Sequence, residues 1–144
     1  MAGPKEFTAS FETHIAAPVS EVFAFLSDVT NTPRWRKHLK EVSWIDRDRT
    51  FKVVSSFGPW RKLEMHGEVT ASEPDRRFAY RITEGPLKAR NEYILAPNVD
   101  GTALRMTGSA GMGGWIMRLF GPIVAKAYTR TTRKEVERLK QILV

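Results

Sequence analysis

Residues 111–144 read GMGGWIMRLFGPIVAKAYTRTTRKEVERLKQILV, an apolar stretch between glycines that runs into a long basic amphipathic segment. In its second part, apolar or neutral residues recur at helical spacing, while the cations Lys126, Arg130 and Arg133 cluster well away from them on a helical wheel. The apolar or neutral stripe consists of Ala125, Tyr128, Thr132, Val136, Leu139 and Leu143. The segment therefore predicts a long helix that packs one face on the rest of the chain and leaves a charged face in solvent.

The first part of this segment has a different helical phase. Trp115, Leu119 and Ile123 fall on another side of the wheel, and the phase slips at Pro122. A proline inside a helix removes a backbone hydrogen bond and kinks or ends the helix. The sequence therefore predicts a break there, with a short helix at about 114–120 before it and a long helix after it that ends near residue 143.

The beginning of the chain predicts one strand and two short helices. Residues 6–15 alternate between apolar and polar side chains, which is the period of a half-buried strand. Pro18 opens a helical run that ends near Asp28. Thr32, which precedes Pro33, is placed to cap a second helical turn.

Six further segments favour β structure, and the connections between them are short and rich in turn residues. The segments are LKEVSWID, TFKVVSSF, WRKLEMHGEVTAS, RRFAYRIT, LKARNEYIL and TALRMTGSA. Connections of this length join antiparallel neighbours rather than parallel crossovers. The sequence thus predicts an α+β fold with a seven-stranded antiparallel sheet, two short helices between strands 1 and 2, and a long C-terminal helix.

The composition limits the class of protein. A chain of 144 residues has the usual size of one domain, so residues 1–144 are expected to share a single core. There is no cysteine, which excludes a disulfide, a thiolate nucleophile and a cysteine-ligated zinc site. The start lacks the apolar core of a signal peptide and no apolar run is long enough to cross a bilayer, so we expect a cytoplasmic protein.

The net charge of +7 is concentrated in residues 30–40 and 112–144. A cluster of cations is most often solvated surface, but it also suits phosphate, anionic lipid or an acidic ligand. Contact of the basic C-terminal helix with an anionic membrane is therefore one expectation.

The inward phase of the predicted sheet mixes large and small side chains. Phe51, Met65 and Tyr80 share this phase with Gly67 and Ala89. Such a face either lets the helix approach closely or leaves unfilled volume, and unfilled volume in a densely packed interior tends to be functional. Both alternatives are open at this point.

The apolar segment around Trp115 must be covered, because each large side chain left in water would forgo roughly 1.5–3 kcal/mol of the free energy gained on burial. The sheet, a ligand, a lipid surface or a second copy of the chain in a homodimer would each provide a cover. The flanking glycines suit a hinged gate over a chamber, and they equally suit the first turn of a core helix.

Four stretches resemble the SRPBCC superfamily, also called START-like, which has a helix-grip fold and includes polyketide cyclase/dehydrase relatives and lipid-transfer domains. They are IAAPVSEVFAFLSDVTNTPRW at 15–35, SEPDRRFAYR at 72–81, DGTALRM at 100–106 and ERLKQILV at the end. The resemblance covers nearly the whole chain and implies a curved sheet wrapped around the long C-terminal helix. It carries over no catalytic acid or base, because a fold alone does not fix a reaction.

The resemblance also implies a ligand pocket between the concave sheet and the last helix. On this sequence the implied ligand-binding residues are Trp35, Phe57, Met65, Tyr80, Asn91, Tyr93, Met106, Trp115, Leu119, Ile123 and Tyr128. Asn91 is the one strongly polar side chain of the inward phase. It either orients a carbonyl or hydroxyl group of a ligand or makes a structural hydrogen bond to backbone.

The sequence does not match the patterns of metal-binding sites or of dinucleotide-binding sites. His14, His38 and His66 lack the spacing of metal ligands, and the first and last of them lie in the outward phase beside glutamates. The stretch GSAGMGG at 108–114 fails the dinucleotide fingerprint, because the third glycine would fall on Ile116. Neither a metal nor a cofactor is expected.

The basic stretch RWRKHLK at 34–40 places Trp35 between Arg34 and Arg36. Aromatic side chains between cations can stack on nucleic acid, and the same stretch suits an anionic membrane or a ligand carboxylate at the pocket mouth. Because tryptophan is highly buried on average, Trp35 is better explained as a cap on the core. Nucleic acid binding is not expected.

Three functional hypotheses follow. The first is binding of a small hydrophobic or aromatic ligand, lipid-like or polyketide-like, in a cavity between the sheet and the C-terminal helix. The alternative is an enzyme of the polyketide cyclase/dehydrase type, in which a tyrosine or asparagine polarises a carbonyl. The third is an interaction module that uses the basic helix and the Trp115 segment on a membrane or a partner.

Overall fold

The structure is a computed structural model that describes the backbone of residues 6–37, 39–57, 61–85, 88–111 and 114–143. Side chains are described throughout these ranges except at residues 6, 7, 56, 57, 61, 114–125, 127 and 128.

Seven strands form one antiparallel sheet, as the sequence predicts. The strands are β1 Glu6–Ile15, β2 Leu39–Asp46, β3 Thr50–Phe57, β4 Arg61–Glu73, β5 Arg77–Glu84, β6 Lys88–Asn98 and β7 Gly101–Gly111. Their order is β1-β7-β6-β5-β4-β3-β2, so β2 to β7 follow one another as a meander. Strand β1 joins the other edge of this meander, where Phe11 lies opposite Met106 of β7.

Tight turns make the meander compact. Asp48 and Asp75 adopt left-handed backbone with φ of 66° and 62°, a conformation that aspartate tolerates better than most residues. Gly101 has φ of 151° at the start of β7, directly after the turn from β6, and a Cβ there would collide with the carbonyl oxygen of Ile15. The turn therefore requires glycine, and it brings β7 directly against the end of β1.

The short helices lie between β1 and β2, as predicted. They are α1 Val19–Ser27 and α2 Thr32–Trp35, with a 3₁₀ turn at Val29–Asn31 between them. The prediction that Thr32 caps α2 is wrong, because Thr32 lies inside α2 and Asn31 holds the capping position. The 3₁₀ turn leads straight into α2, so the chain is already helical at this point and has no extended residue to act as a cap.

The last helix, α3 Gly114–Leu143, is continuous over 30 residues, or about 45 Å. The predicted break at Pro122 is therefore wrong. A proline removes its own backbone hydrogen bond and crowds the carbonyl group of the preceding turn, but the neighbouring turns here continue the helix through it. The change of phase that the sequence shows at this point does not end the helix.

The second half of α3 packs as its periodicity predicts. Thr132, Val136 and Leu139 are buried, while Arg130 and Arg133 are exposed. Helix α3 contacts β1 and α2, and its buried stripe joins the inner face of the sheet in one core. Within the described ranges, no helix combines the length and the apolar character needed to cross a membrane.

Candidate functional site

The core between the sheet and the short helices contains a cavity of about 80 Å³. Strands β2 to β6 form one wall, and the 3₁₀ turn and α2 form the other, since Val29 and Thr32 line it. Much of the lining is apolar, from Val42, Phe51, Val53, Met65 and Ile82 among others. Arg36 and Asn91 also line the cavity and bring strongly polar groups to it.

Arg36 enters the core because α2 ends just before it. The residue takes an extended backbone conformation with φ of −107° and ψ of 91°, and its N–H donates to the carbonyl oxygen of Thr32 at 2.9 Å. This change of direction points the side chain into the interior, where Arg36 is only 8% exposed. An arginine is almost never buried to this degree unless it is paired.

In the part of the chain that the structure describes, partners of the Arg36 guanidinium come from four elements. Its Nη2 donates to Asn91 Oδ1 at 3.3 Å and to the Tyr93 hydroxyl oxygen at 3.3 Å, and lies 3.8 Å from Met106 Sδ. Its Nε lies 3.4 Å from Glu135 Oε2. The guanidinium carbon also lies 4.6 Å from the centroid of the Trp35 ring, which gives a cation–π contact. The charge is thus held between α2, β6, β7 and α3.

Glu135 brings the opposite charge from α3 and is 4% exposed. Burial raises the pKa of its carboxyl group, although the positive charges of Arg36 and Arg138 act to lower it. Burial also raises the pKa of Tyr93 well above its usual value, against the effect of Arg36, so the Tyr93 hydroxyl keeps its proton. The guanidinium and carboxylate together carry no net charge, which reduces the cost of placing both in the core.

The structure places the ligand-binding residues implied by the resemblance in three groups. Met65, Tyr80 and Asn91 line the cavity. Trp35, Tyr93 and Met106 are buried beside it and contact Arg36. The side chains of the remaining five, Phe57, Trp115, Leu119, Ile123 and Tyr128, lie outside the described residues.

Two of these residues also bear on expectations from the sequence. Trp35 is 2% exposed, so its role as a cap on the core is confirmed. Asn91 does make a structural hydrogen bond, but with the Arg36 side chain rather than with backbone.

Sequence reasoning did not identify Arg36 and Glu135 as members of the site. The basic stretch at 34–40 suits an anionic membrane or a ligand carboxylate as a whole and does not distinguish Arg36 from its neighbours, yet Arg34 and Lys37 are exposed and Arg36 is buried. The position of Glu135 in the sequence could have indicated this buried pair. It lies three residues after Thr132 and four before Leu139, so a carboxylate stands in the buried stripe of α3 and requires a buried cation.

The outer face of the sheet carries exposed contacts between basic and acidic side chains. Arg77 Nε lies 2.6 Å from Glu92 Oε2, and His66 Nδ1 lies 3.1 Å from Glu84 Oε2. His66 lies opposite Glu84, so this contact joins β4 to β5 on the outward face that the sequence predicts for His66. Exposed pairs of this kind contribute little to stability. Among the described residues, no group of three potential ligands is arranged to hold a metal ion.

The basic face of α3 is exposed at Lys126, Arg130 and Arg133. This exposure agrees with a solvated face, and contact with an anionic membrane stays a prediction.

Solved structures from several sources share this fold. A START superfamily protein from Mycobacterium smegmatis superimposes with a TM-score of 0.77 at 16% identity, over 94% of this chain and 96% of that one. The protein TTHA0849 from Thermus thermophilus gives 0.77 at 16% identity, over 94% and 95%. The di-domain ARO/CYC StfQ from the steffimycin biosynthetic pathway gives 0.74 at 10% identity, over 96% of this chain and 50% of that one. At these identities the likeness shows the fold alone.

The family of the chain is shown by its sequence. No curated protein matches the chain. Residues 6–144, however, match the family model described as polyketide cyclase/dehydrase and lipid transport. This match covers nearly the whole chain and shows that the chain belongs to the polyketide cyclase/dehydrase and lipid transport family, which confirms the predicted SRPBCC-type family.

Proposed function

We propose that this protein binds a small, mainly apolar molecule in the cavity beside Arg36, with a hydrogen-bond acceptor of the ligand directed at Arg36 and Asn91. The observation that carries the proposal is the buried guanidinium on the wall of an otherwise largely apolar cavity. Protein interiors are packed to near-crystalline density, so open volume beside a buried polar group is characteristic of a binding site.

The volume indicates the size of the ligand. A buried water needs about 10–15 Å³ of such space, so a cavity of 80 Å³ holds several waters or one compact organic group. Pockets for drug-sized molecules reach roughly 300–1,000 Å³. An apolar cavity of about 150 Å³ binds benzene, so a cavity of 80 Å³ suits a short branched chain with one carbonyl or hydroxyl group, or an aromatic ring that enters it only in part.

The polar groups indicate the orientation of the ligand. Arg36 and Asn91 lie on the same part of the wall, and their side chains are 3.3 Å apart from Nη2 to Oδ1. An acceptor atom of a ligand would face the N–H groups of these two residues, while its apolar part would contact Phe51, Val53 and Met65. This division between one polar end and an apolar wall is usual for small-molecule sites.

The family supports a hydrophobic ligand, because its description covers both cyclase/dehydrase activity and lipid transport. It also supports a second candidate function, an enzyme of the cyclase/dehydrase type. In that case Arg36 and Asn91 would polarise a substrate carbonyl, since donors fixed in a site of low dielectric stabilise developing negative charge. Conversion of a bound poly-β-carbonyl compound, followed by mass spectrometry, separates this enzyme from a binding protein.

Benzamide, which joins one ring to one carbonyl, tests the binding proposal. We expect the wild-type protein to bind it, measured by calorimetry and by NMR shifts of the protein. Met65→Trp should fill the cavity and weaken binding by roughly tenfold or more, equivalent to about 1.4 kcal/mol. Ile45→Trp is the matched control, because Ile45 lies on β2 and is 60% exposed. Absence of binding to the wild type, or equal binding by Met65→Trp, would contradict the proposal.

A further inference from the structure

We propose that Glu135 sets the charge selectivity of the cavity: by neutralising Arg36 it makes the site prefer uncharged acceptors and reject carboxylates. This inference rests on the proposed function and names the class of ligand that the same site takes. It concerns a residue of α3 that acts on the ligand through Arg36, so Glu135 is a positioning residue and not a catalytic one.

An arginine in an apolar pocket would by itself favour a carboxylate. The guanidinium offers a planar set of N–H donors that matches a carboxylate, and charge-assisted hydrogen bonds are about twice as strong as neutral ones. Arg36 lies on the cavity wall. The presence of Arg36 alone would therefore predict an acidic ligand.

Glu135 changes that prediction because it already balances the charge. Its Oε2 lies 3.4 Å from Arg36 Nε, and the two side chains are about equally buried. The pair carries no net charge. A carboxylate ligand would bring a second negative charge against one guanidinium in a region poor in water, where such charges repel strongly. A carbonyl or hydroxyl group adds a hydrogen bond without adding charge.

Among the residues whose side chains the structure describes, the other polar groups near the pair do not offset this repulsion. Asn91 and Tyr93 each accept a hydrogen bond from Arg36 Nη2 and are uncharged. Arg138 is a second cation close enough to act on Glu135. It is only partly buried, however, and its Nη1 donates to the Trp35 carbonyl oxygen at 2.9 Å, away from the residues that line the cavity. Its charge is therefore shared with backbone and solvent.

Benzamide and benzoate form a suitable pair of probes, since they have nearly the same shape and differ by one charge at neutral pH. We expect the wild-type protein to bind benzamide roughly tenfold more tightly than benzoate. Glu135→Gln keeps the shape of the side chain and removes its charge. This variant should bind benzoate at least as tightly as benzamide, through a gain for benzoate of about tenfold or more.

Glu137→Gln is the matched control. Glu137 is on the same helix and its side chain is 63% exposed, so the substitution makes the same change in net charge far from the cavity. We expect it to leave the ratio of the two affinities at the wild-type value. A change in that ratio specific to Glu135→Gln cannot come from general attraction of an anion to a more basic protein, because that effect is common to both variants.

The outcomes separate this inference from the proposed function. If benzamide binds and Met65→Trp abolishes its binding, but wild type and Glu135→Gln show the same ratio of affinities, the charge selectivity is wrong and the ligand site stands. If neither probe binds the wild type, both proposals fall. The wild-type comparison needs no variant, so a preference for benzoate there overturns the inference even if Glu135→Gln does not fold.

Discussion

Arg138 on α3 donates a hydrogen bond of 2.9 Å from its Nη1 to the carbonyl oxygen of Trp35, the last residue of α2. The last carbonyl groups of a helix lack partners within the helix, and a cation at that end also interacts favourably with the helix dipole. Trp35 immediately precedes Arg36, the residue that turns into the cavity. The contact therefore fixes the position of α2 relative to α3 at the point where the buried charge enters the core.

Replacement of Arg138 should loosen this connection. We expect Arg138→Met to lower the free energy of unfolding by about 1–2 kcal/mol, because the aliphatic stem is retained and the charge-assisted hydrogen bond is lost. Urea denaturation followed by tryptophan fluorescence measures the change. Arg133→Met is the control, since Arg133 is exposed on the same helix and should change stability by less than about 0.5 kcal/mol. Equal losses in the two variants would show that the contact with Trp35 contributes nothing.

Gly67 on β4 is paired with Phe51 on β3, and the ring of Phe51 occupies the space that a side chain at Gly67 would need. A Cβ there would lie 2.5 Å from Phe51 Cζ and 3.0 Å from the carbonyl oxygen of Arg81. The ring has little freedom to move, because it packs edge-on against Tyr80 at 5.5 Å between centroids. The glycine is thus required by the packing of the cavity wall.

We expect Gly67→Ala to destabilise the protein by about 1–3 kcal/mol, since overpacking outweighs the smaller gain from a less flexible unfolded chain. Displacement of Phe51, which lines the cavity, should also weaken benzamide binding. Urea denaturation and calorimetry provide the two measurements. Ser72→Ala on the exposed side of the same strand is the control. Unchanged stability in Gly67→Ala would mean that Phe51 moves without cost.

The Glu135 carboxyl group should make stability depend on pH. Burial raises its pKa in the folded chain above the ordinary value of 4.5, so the folded chain binds this proton more tightly than the unfolded chain does. The resulting contribution to stability is fully present below pH 4.5 and is lost as the pH rises through the raised pKa. The free energy of unfolding of the wild type, relative to Glu135→Gln, should therefore fall as the pH is raised from about 4.5 through the raised pKa.

Urea denaturation of both proteins across this range tests the sign, and the same series with Glu137→Gln shows what an exposed glutamate contributes. A difference between wild type and Glu135→Gln that grows in favour of the wild type as the pH rises would contradict the prediction. It would mean that attraction to Arg36 and Arg138 outweighs the cost of burying the carboxylate.

The sheet could be predicted from sequence because its information is local. Alternation over residues 6–15 and the turn residues at Asp48 and Asp75 each act within a few positions, and the structure reproduces them. The stripe of α3 was predictable for the same reason. The continuity of α3 through Pro122 was not, since one proline has different effects in helices that are held differently by their surroundings.

The centre of the site could not be predicted because it depends on residues distant in sequence. Arg36 resembles its exposed neighbours in type, and its burial becomes comprehensible only when Glu135 and Tyr93 are brought beside it. The volume of the cavity is likewise set by the directions of large side chains such as Phe51 and Met65, which alternation does not specify. A pattern of large and small residues is compatible with a filled core and with an open one.

The pairing of β1 with β7 has a consequence for how the chain folds. Strands β2 to β7 can form hairpin by hairpin, each step closing a short loop, whereas β1 has no neighbour in the sheet until β7 is in place. Closure of such a long loop is entropically costly, and non-local pairing of this kind slows folding. During synthesis the first strand therefore leaves the ribosome long before its partner exists, and its apolar face remains open to aggregation or to chaperones in the interval.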